Sequence, residues 1–394
     1  MTDDGKDVAA RLRAIRAPDD RMADALRAAW DVGDAVLPMA WDAPAAATAE
    51  LLGRLGPTSL TEVDDTGSWT TRTLDPTASV DDDIALVVAT SGSTGGPKGA
   101  ELGRDAVAAA TTASIGRLGC DPGDRWALAL PTHHIAGLQV ILRAWALGTA
   151  PVPSARSLAT VDAEHVALVP TQLQRLLDAG TDLRRFSTIL LGGARPDPTL
   201  TERARAAGAR LVVSYGMTET GGGCAYDGVA LDDVEVAIRD DGRVLLRGPM
   251  LFRRYRHDPD ATERARTREG WFVTGDLGRL VDGRLEVLGR ADDQVITGGE
   301  NVAVAPVAAA LRAHPSVADA VVIGRPDQRW GEVLVAVVVP RPGAVPDLAT
   351  LRAHVQTTLP AAHAPRALRL VEELPRDRMG KITETRLRDL ARET

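Results

Sequence analysis

An apolar run at residues 84–89, Ile-Ala-Leu-Val-Val-Ala, ends abruptly in the polar stretch Thr90-Ser-Gly-Ser-Thr-Gly-Gly-Pro-Lys-Gly99. The run has the length of a buried strand. Glycine lets backbone N–H groups approach an anion without a Cβ atom in the way. A plain surface turn would also use glycine and serine, but the added hydroxyls and the lysine favour a cradle for a polyphosphate. The residues expected to hold phosphate are Thr90, Ser91, Gly92, Ser93, Thr94 and Lys98.

This stretch differs from the G-x-x-x-x-G-K-[ST] loop of nucleotide triphosphatases. Pro97 stands between Gly96 and Lys98, and Gly99 replaces the hydroxyl residue that binds Mg²⁺ in that loop. Proline disfavours helix in the residue before it, so a helix N-terminus is not presented to the phosphates in the usual way. The sequence therefore predicts a phosphate loop of another kind.

Lysine is almost absent from the chain. Of 46 lysine and arginine residues, only Lys6, Lys98 and Lys381 are lysines, and the other 43 are arginines. The two side chains are not equivalent, because lysine is a compact point charge on a thin stem. Chance could retain one lysine, but Lys98 and Lys381 both lie in glycine-containing motifs, which indicates that both are functional.

Composition limits the function classes. The formal net charge of −8 argues against general nucleic-acid binding. The N-terminus is acidic and no apolar run approaches 18 residues, so we expect neither a signal peptide nor a membrane span. Cys120 and Cys224, the only cysteines, form no disulfide framework or metal-ligand spacing. A reducing cytoplasm is the expected location.

From Ile84 to Val213 the pattern alternates strand and helix, which predicts an α/β fold with a largely parallel sheet. Ligands of such sheets lie beyond the carboxyl ends of the strands. Three polar segments fall at predicted strand ends, and these are residues 90–99, 131–137 and 214–223.

The two ends of the chain have other patterns. Residues 8–16, 21–30 and 45–55 are predicted helices, and residues 33–38 a short strand. After Gly223, two hairpins with Asp-Gly turns predict a small β subdomain. A polar, strand-poor connector is expected from Gly289, followed by an α+β unit. We therefore expect a large N-terminal domain at residues 1–290 and a small, mobile α+β lid domain at residues 291–394.

Five segments together resemble the signatures of the acyl-adenylate-forming superfamily, which contains acyl-CoA synthetases, peptide-synthetase adenylation domains and luciferases. They are residues 90–99, 215–220, 271–276, 289–293 and 375–381. The resemblance extends over roughly residues 84–394. It implies an AMP-forming ligase that uses ATP, Mg²⁺ and coenzyme A. The chain departs from the family in its front subdomain, which is much reduced.

The second segment supplies nucleotide and metal contacts in this resemblance. Tyr215 and Gly216 border the nucleotide, and Thr218 is a catalytic residue that bonds the α-phosphate. Glu219 is the metal ligand, since Mg²⁺ keeps several waters and bridges nucleotide phosphates.

The third and fourth segments carry the ribose contact and the hinge. An acceptor-only carboxylate suits two ribose hydroxyls, and that role falls to Asp276. Arg290 contacts the nucleotide and Asp292 is the hinge between domains. Gly192, Gly193 and Ala194 lie along the adenine, whereas Gly298 and Gly299 border the coenzyme A tunnel.

The last segment contains Lys381, the expected catalytic lysine. It enters the active site when the small domain closes and neutralises charge that develops between the carboxylate and the α-phosphorus. His134, in the Pro131–Gly137 segment, is expected to line the acyl or thiol channel. The adjacent His133 invites a metal site, but adjacent side chains diverge and no third ligand has suitable spacing.

The resemblance implies two half-reactions, adenylation of an acid and transfer of the acyl group to the thiol of coenzyme A, without a cysteine nucleophile. The reduced layout resembles that of family members that act on an aromatic dicarboxylate, and this resemblance implies such an acid. Its second carboxylate needs donors, for which the candidates are Arg143, Arg195, Thr171 and Gln172. The alternatives are another aryl- or fatty-acid ligase, a carrier protein in place of coenzyme A, and a non-catalytic nucleotide-binding member. The family also suggests a homodimer.

Overall fold

The computed structural model describes residues 10–90, 97–154, 157–291, 294–298 and 300–376, together with residues 382, 386–387 and 389–390. The chain divides into two units. Unit 1 comprises Met1–Val236 and Leu246–Phe272, and unit 2 comprises Ala237–Leu245 and Val273–Thr394. The domain boundary after residue 290 stays a prediction. Among the described residues we find no helix that combines the length and the apolar character needed to cross a membrane.

The strands are β1 (Leu12–Arg16), β2 (Ala35–Met39), β3 (Ser59–Val63), β4 (Trp69–Thr73), β5 (Ile84–Thr90), β6 (Lys98–Gly103), β7 (Trp126–Leu128), β8 (Val152–Pro153), β9 (His165–Leu168), β10 (Thr188–Leu191), β11 (Leu211–Met217), β12 (Gly222–Tyr226), β13 (Val229–Ala230), β14 (Glu235–Ile238), β15 (Arg243–Arg247), β16 (Arg254–Tyr255), β17 (Phe272–Val281), β18 (Arg284–Arg290), β19 (Gln294–Thr297), β20 (Glu300–Ala303), β21 (Val317–Asp327), β22 (Gly331–Pro340) and β23 (Ala367–Leu370). The α-helices are α1 (Asp19–Asp31), α2 (Ala45–Leu55), α3 (Arg104–Leu118), α4 (Ile135–Ala146), α5 (Pro170–Asp178), α6 (Pro198–Ala206), α7 (Pro259–Arg264), α8 (Val304–Arg312) and α9 (Leu348–Gln356).

The first sheet of unit 1 has the strand order β16-β6-β5-β2-β1-β3-β4 over the described residues. Strands β5, β2, β1 and β3 run parallel to one another. The predicted helix at residues 8–16 is wrong from Leu12 onward, because this segment is the strand β1. Its alanines and arginines favour a helix, but β1 pairs with β2 and β3 on its two sides and buries Leu12 and Ile15 completely. Tertiary pairing therefore overrides local propensity.

The segment predicted to be the phosphate loop lies between two antiparallel strands. Strands β5 and β6 form a hairpin in which Thr90 lies opposite Lys98 and Val88 opposite Ala100. Sequence reasoning did not foresee β6, since its residues carry a buried charge and two glycines. The strands on both sides of the predicted loop are therefore held in one ladder.

The second sheet of unit 1 has the order β13-β12-β11-β10-β9-β7-β8 within the described part of the chain. Its strands β8, β7, β9, β10 and β11 are parallel, as the alternating pattern predicts. Helix α4 packs on β7, and α3 contacts both α4 and β12. Phe186, Leu168 and Leu173 form part of the core on one face of the sheet. The carboxyl ends of β9, β10 and β11 consequently lie side by side.

Within the described residues, unit 2 contains most of a sheet with the strand order β14-β15-β17-β18. It also contains a sheet with the order β20-β19-β22-β21, in which β23 lies beside β22. The predicted Asp-Gly turn between β17 and β18 is confirmed, with φ of 49° at Asp282 and 75° at Gly283. Such positive angles fit a two-residue hairpin turn. The strand-poor connector after Gly289 is wrong, because β18 continues to Arg290 and β19 and β20 follow at once. Helices α8 and α9 cover the second sheet and share its core.

Candidate nucleotide site

A tight turn after β11 presents Thr218 and Glu219. The 3₁₀ helix Thr218–Thr220 forms it, and the hydroxyl of Thr220 donates to the Gly222 carbonyl at 2.6 Å and accepts from the Met217 N–H at 3.0 Å. The Nε2 of the buried Gln139 donates to the Gly221 carbonyl at 2.7 Å. These bonds fix the turn from within, so the direction of the Glu219 side chain is set by the fold.

Gly216 is required for the same turn. A Cβ atom at this position would lie 2.0 Å from the Gly222 carbonyl oxygen and 2.6 Å from the Gly223 Cα. Both contacts are with backbone, which cannot move aside cheaply. Gly216 therefore allows β11 and β12 to pass close together just before the turn that carries Glu219.

Tyr255 connects the two charged residues predicted for the nucleotide site. Its ring lies under the Lys98 ammonium, with 5.1 Å between Nζ and the ring centroid. Its hydroxyl donates to Glu219 Oε1 at 2.7 Å. Lys98 and Glu219, which come from different sheets, are thus brought to one place by a third side chain.

Strand pairing places Tyr255 there. Strand β16 lies antiparallel to β6 with Tyr255 opposite Ala100. Lys98, two residues from Ala100, is the diagonal neighbour of Tyr255, a position within reach of aromatic and long side chains. The Phe252 N–H also donates to the Glu219 carbonyl at 2.8 Å.

Sequence reasoning missed Tyr255. The chain has only three tyrosines, and this scarcity, like that of lysine, is the signal that could have drawn attention to the residue.

The opposite face of β6 holds β16 in place. Glu101 is buried, with an exposed fraction of 1%. Its Oε1 lies 2.9 Å from Arg256 Nη1, and its Oε2 lies 2.7 Å from Arg254 Nε. Arg256 is buried too, and its Nε donates to the Leu55 carbonyl at 2.6 Å. One carboxylate thus anchors the two arginines that flank Tyr255.

The predicted adenine segment, residues 192–194, follows β10. The Gly192 N–H donates to the Leu168 carbonyl at 3.0 Å and so continues the parallel ladder. Gly193 has φ of 83°, in the left-handed region that favours glycine. Leu191 of β10 pairs with Val213 of β11, so Gly192–Ala194 and Tyr215 leave neighbouring strand ends.

The histidine segment begins helix α4. His134 is the N-cap residue of α4, and its ring lies 4.2 Å from that of His133. Thr132 is buried, and Asp19 Oδ1 accepts from both its N–H and its hydroxyl at 2.7 Å. A Cβ atom at Gly137 would lie 2.2 Å from the Pro131 carbonyl oxygen. These contacts define the backbone path on both sides of the two histidines.

Asp276 and Arg290 belong to unit 2. They are opposite each other in the β17–β18 pair, with Arg290 Nη1 3.5 Å from Asp276 Oδ1. The Asp276 N–H donates to the Thr274 hydroxyl oxygen at 3.1 Å. A Cβ atom at Gly275 would lie 2.5 Å from Arg290 Nη2. Gly275 thus leaves the space that the Arg290 guanidinium fills.

Gly298 also belongs to unit 2. It has φ of 62°, and its N–H donates to the Trp330 carbonyl at 2.9 Å. The Arg366 guanidinium stacks on the Trp330 ring, 3.7 Å from the ring centroid. The turn before β22 therefore sets the position of this predicted tunnel residue.

Some predicted site residues lie outside the described part of the chain, and their roles stay predictions. They are Ser91, Gly92, Ser93, Thr94, Asp292, Gly299 and Lys381.

The candidate donors for a second carboxylate differ in their surroundings. Arg143 is buried, with its Nε donating to the Ser114 hydroxyl at 2.9 Å and its guanidinium 4.7 Å from the Trp126 ring centroid. Gln172 uses its amide to bond the Val169 N–H and the Ala129 carbonyl. Thr171 is half-buried, whereas Arg195 is exposed. The structure does not bring these four together around one described contact.

Neither cysteine is placed as a nucleophile. Cys224 is buried. Burial raises the pKa of the Cys120 thiol to about 11, so this thiol remains protonated at neutral pH.

Comparisons with known proteins identify the family of this chain. A model of the AMP-binding enzyme family matches residues 24–256, and a model of the AMP-binding enzyme C-terminal domain matches residues 307–381. A probable 2-succinylbenzoate–CoA ligase from Mycobacterium tuberculosis is 42% identical over 332 residues, covering 78% of this chain and 85% of the relative. A 2-succinylbenzoate–CoA ligase from Geobacillus kaustophilus is 33% identical over 346 residues, covering 79% and 70%.

Among solved structures, the o-succinylbenzoate CoA synthetase from Bacillus subtilis in complex with the acyl-adenylate intermediate OSB-AMP superposes with a TM-score of 0.84 at 27% identity. The match covers 97% of this chain and 89% of that chain. An ATP-bound protein from Rhodopseudomonas palustris superposes with a TM-score of 0.85 at 24% identity, a likeness of fold alone. The α/β class is thereby confirmed.

Proposed function

Since this chain belongs to the AMP-binding enzyme family, we propose that it is an ATP-dependent acid–CoA ligase that converts 2-succinylbenzoate into 2-succinylbenzoyl-CoA. The observation that carries the proposal is the meeting of Lys98 and Glu219 on Tyr255. A cation for the phosphates and a carboxylate for their metal are the two charges that an ATP site needs, and the fold delivers them from two sheets to one side chain.

The reaction has two half-reactions. An oxygen of the substrate carboxylate attacks the α-phosphorus of ATP, which forms the acyl-adenylate and releases pyrophosphate. The thiol of coenzyme A then loses its proton and attacks the acyl carbon, which forms the thioester and releases AMP. The chain contributes positioning and charge, on which phosphoryl-type transfers mostly depend. Lys98 neutralises phosphate charge, while Asp276 and Arg290 are proposed to hold the ribose and the nucleotide.

The chemistry of the described residues fits Mg²⁺ that arrives with the nucleotide. They contain no group of three or more His, Cys, Asp or Glu side chains arranged to hold a metal ion. Mg²⁺ is usually bound by one or two carboxylates together with substrate phosphates and waters. Glu219 is the carboxylate proposed for this role, and the bound ion would neutralise charge on the phosphates.

The acid is proposed from likeness to named enzymes. The segments at residues 131–138, 169–177 and 219–238 resemble the 2-succinylbenzoate–CoA ligases of actinobacteria, enzymes of menaquinone synthesis. The relatives from Mycobacterium tuberculosis and Geobacillus kaustophilus carry that name. The second candidate function is another aryl- or fatty-acid ligase of the same fold, because the described contacts do not select the acid.

The remaining proposals concern organisation and location. The small domain from residue 291 is proposed to turn about Asp292, so that Lys381 serves adenylation and then gives way to coenzyme A beside Gly298 and Gly299. A cytoplasmic location is proposed because the chain has only two cysteines, whose spacing suggests no disulfide framework. A homodimer is proposed from the family resemblance, and light scattering of the purified protein at several concentrations tests it.

The function is tested by incubating the purified chain with ATP, Mg²⁺, coenzyme A and 2-succinylbenzoate. We expect the thioester by mass spectrometry, with AMP and pyrophosphate in equal amounts. A panel of benzoates and fatty acids read by pyrophosphate release serves as the comparison. Preference for another acid would favour the second candidate, and absence of AMP with every acid would favour a non-catalytic nucleotide-binding protein.

A Gly275→Ala variant should bind ATP about three- to ten-fold more weakly, the scale of one ordinary hydrogen bond. The new methyl group would displace the guanidinium of Arg290. Thermal stability should change little, because a half-exposed arginine tip can move aside. Isothermal titration calorimetry measures the affinity. Gly116→Ala is the matched control, since its Cβ meets nothing within 4 Å; equal affinity in both variants would contradict the role of Arg290.

A further inference from the structure

Tyr255 lies between two opposite charges that do not pair with each other. In the described part of the chain no ion pair joins Lys98 to Glu219, although both contact the same tyrosine. We propose that Tyr255 is a positioning residue that keeps Lys98 and Glu219 apart, so that the ammonium remains available to phosphate and the carboxylate to Mg²⁺. This inference rests on the proposed function, because it names how the same site is held ready for its nucleotide.

Without the Tyr255 ring, Lys98 and Glu219 could pair directly with each other. An ammonium and a carboxylate at the ends of two neighbouring side chains attract each other near a protein surface. Lys98 and Glu219 are both half-buried, so water would screen such a pair incompletely. A direct pair would neutralise both groups and would have to break each time Mg²⁺ and ATP bind.

The two parts of the tyrosine act on different partners. The ring face attracts the Lys98 ammonium through its quadrupole, which does not neutralise the cation. The hydroxyl donates to one oxygen of Glu219, Oε1, which orients the carboxylate without neutralising it. Removing the hydroxyl alone should therefore weaken the binding of Mg²⁺-ATP through Glu219. Removing the whole ring should also weaken the binding of Mg²⁺-free ATP through Lys98.

The backbone around Tyr255 is arranged to keep the ring in place. Ladder pairing with β6 sets its position relative to Lys98, and the Phe252 N–H bond to the Glu219 carbonyl sets its position relative to the turn. Glu101 anchors Arg254 and Arg256 on the other face of the strand. The Phe252 ring, 4.7 Å from that of Tyr255, packs beside it.

The test measures ATP binding by calorimetry, once with Mg²⁺ and once with EDTA. Tyr255→Phe keeps the ring, so its affinity for Mg²⁺-free ATP should remain within about two-fold of wild type, while its affinity for Mg²⁺-ATP falls about ten-fold. Tyr255→Leu removes the ring, so both affinities should fall about ten-fold. Tyr226→Phe, which loses only a hydroxyl that is hydrogen-bonded to Ser114 at 2.7 Å, is the matched control and should change neither.

A double variant separates this role from a merely structural one. In Tyr255→Leu, the Glu219 carboxylate is free to capture Lys98, and Glu219→Gln removes that carboxylate. The double variant should therefore regain most of the affinity for Mg²⁺-free ATP that Tyr255→Leu lost. A tyrosine that only supports the fold would give no such recovery.

The possible outcomes separate failure of the proposed role of Tyr255 from failure of the proposed ligase function. Wild-type affinities in both tyrosine variants would overturn the inference, as would a double variant no better than Tyr255→Leu. Nucleotide binding with the expected pattern, but without thioester from 2-succinylbenzoate, would overturn only the proposed substrate. A wild-type chain that binds no ATP would overturn both. Thermal melting confirms that each variant is folded, and Tyr255→Phe keeps the packing if the leucine variant does not fold.

Discussion

A Lys381→Ala variant should form the acyl-adenylate about a thousand-fold more slowly than the wild type, the upper scale for loss of one group that stabilises transition-state charge. The same variant should convert preformed acyl-adenylate and coenzyme A into thioester at a nearly normal rate. The reason is that Lys381 is proposed to act only while the carboxylate attacks the α-phosphorus. Exchange of labelled pyrophosphate into ATP measures the first step, and mass spectrometry of the thioester measures the second.

The chain offers a matched control for this lysine. Lys6→Ala removes the same charge from a segment without a recognisable motif, and both half-reactions should remain at the wild-type rate. Normal pyrophosphate exchange in Lys381→Ala would contradict the role assigned to the residue. Equal losses in both half-reactions would show that its effect is not confined to adenylation.

A Glu101→Gln variant should lower the free energy of unfolding by about 3–5 kcal/mol, the usual result of removing one partner from a buried ion pair. Glu101 is 1% exposed and compensates Arg256, which is also buried. Without the carboxylate charge, Arg256 would remain in the interior with only carbonyl oxygens around it, among them those of Leu55, Gly56 and Ser79. Urea denaturation followed by tryptophan fluorescence measures the change.

Glu235→Gln is the control for Glu101→Gln. Glu235 also pairs with an arginine, Arg247, at 2.6 Å, but both side chains are largely exposed. Water screens such pairs, so this substitution should leave the urea midpoint nearly unchanged. Similar midpoints for the two variants would show that the ion pairs of Glu101 with Arg254 and Arg256 do not stabilise unit 1. Weaker ATP binding is also expected in Glu101→Gln, because β16 carries Tyr255.

The sequence predicted the parts of the fold that depend on local pattern. The run from Ile84, the alternating strands and helices up to Val213, and the Asp-Gly hairpin at Asp282 all follow from periodicity and turn chemistry. Strand β1 could not be predicted this way, because Leu12 and Ile15 are in a strand only through pairing with neighbours distant in the sequence. Strand β6 escaped notice for a related reason, since buried Glu101 is explained only by the arginines opposite it.

The same distinction between local pattern and tertiary contact applies to the residues of the candidate site. Lys98, Glu219, Asp276 and Arg290 could be proposed from motifs, because each lies in a short segment that resembles a family signature. Tyr255 could not, since its partners are 157 and 36 positions away in the chain. Only the pairing of β16 with β6 reveals that this tyrosine reaches both. Residues that bind a ligand leave a local pattern, whereas residues that position them do so through tertiary contacts.

The short strand β16 has consequences for anyone who wishes to alter this protein. Its side chains alternate, so that Tyr255 points to Lys98 while Arg254 and Arg256 point to Glu101. We expect a library randomised at position 255 to vary the affinity for ATP. A library randomised at position 256 would yield mostly insoluble chains. Selection for new cosubstrates can therefore begin at position 255 and leave its two neighbours as they are.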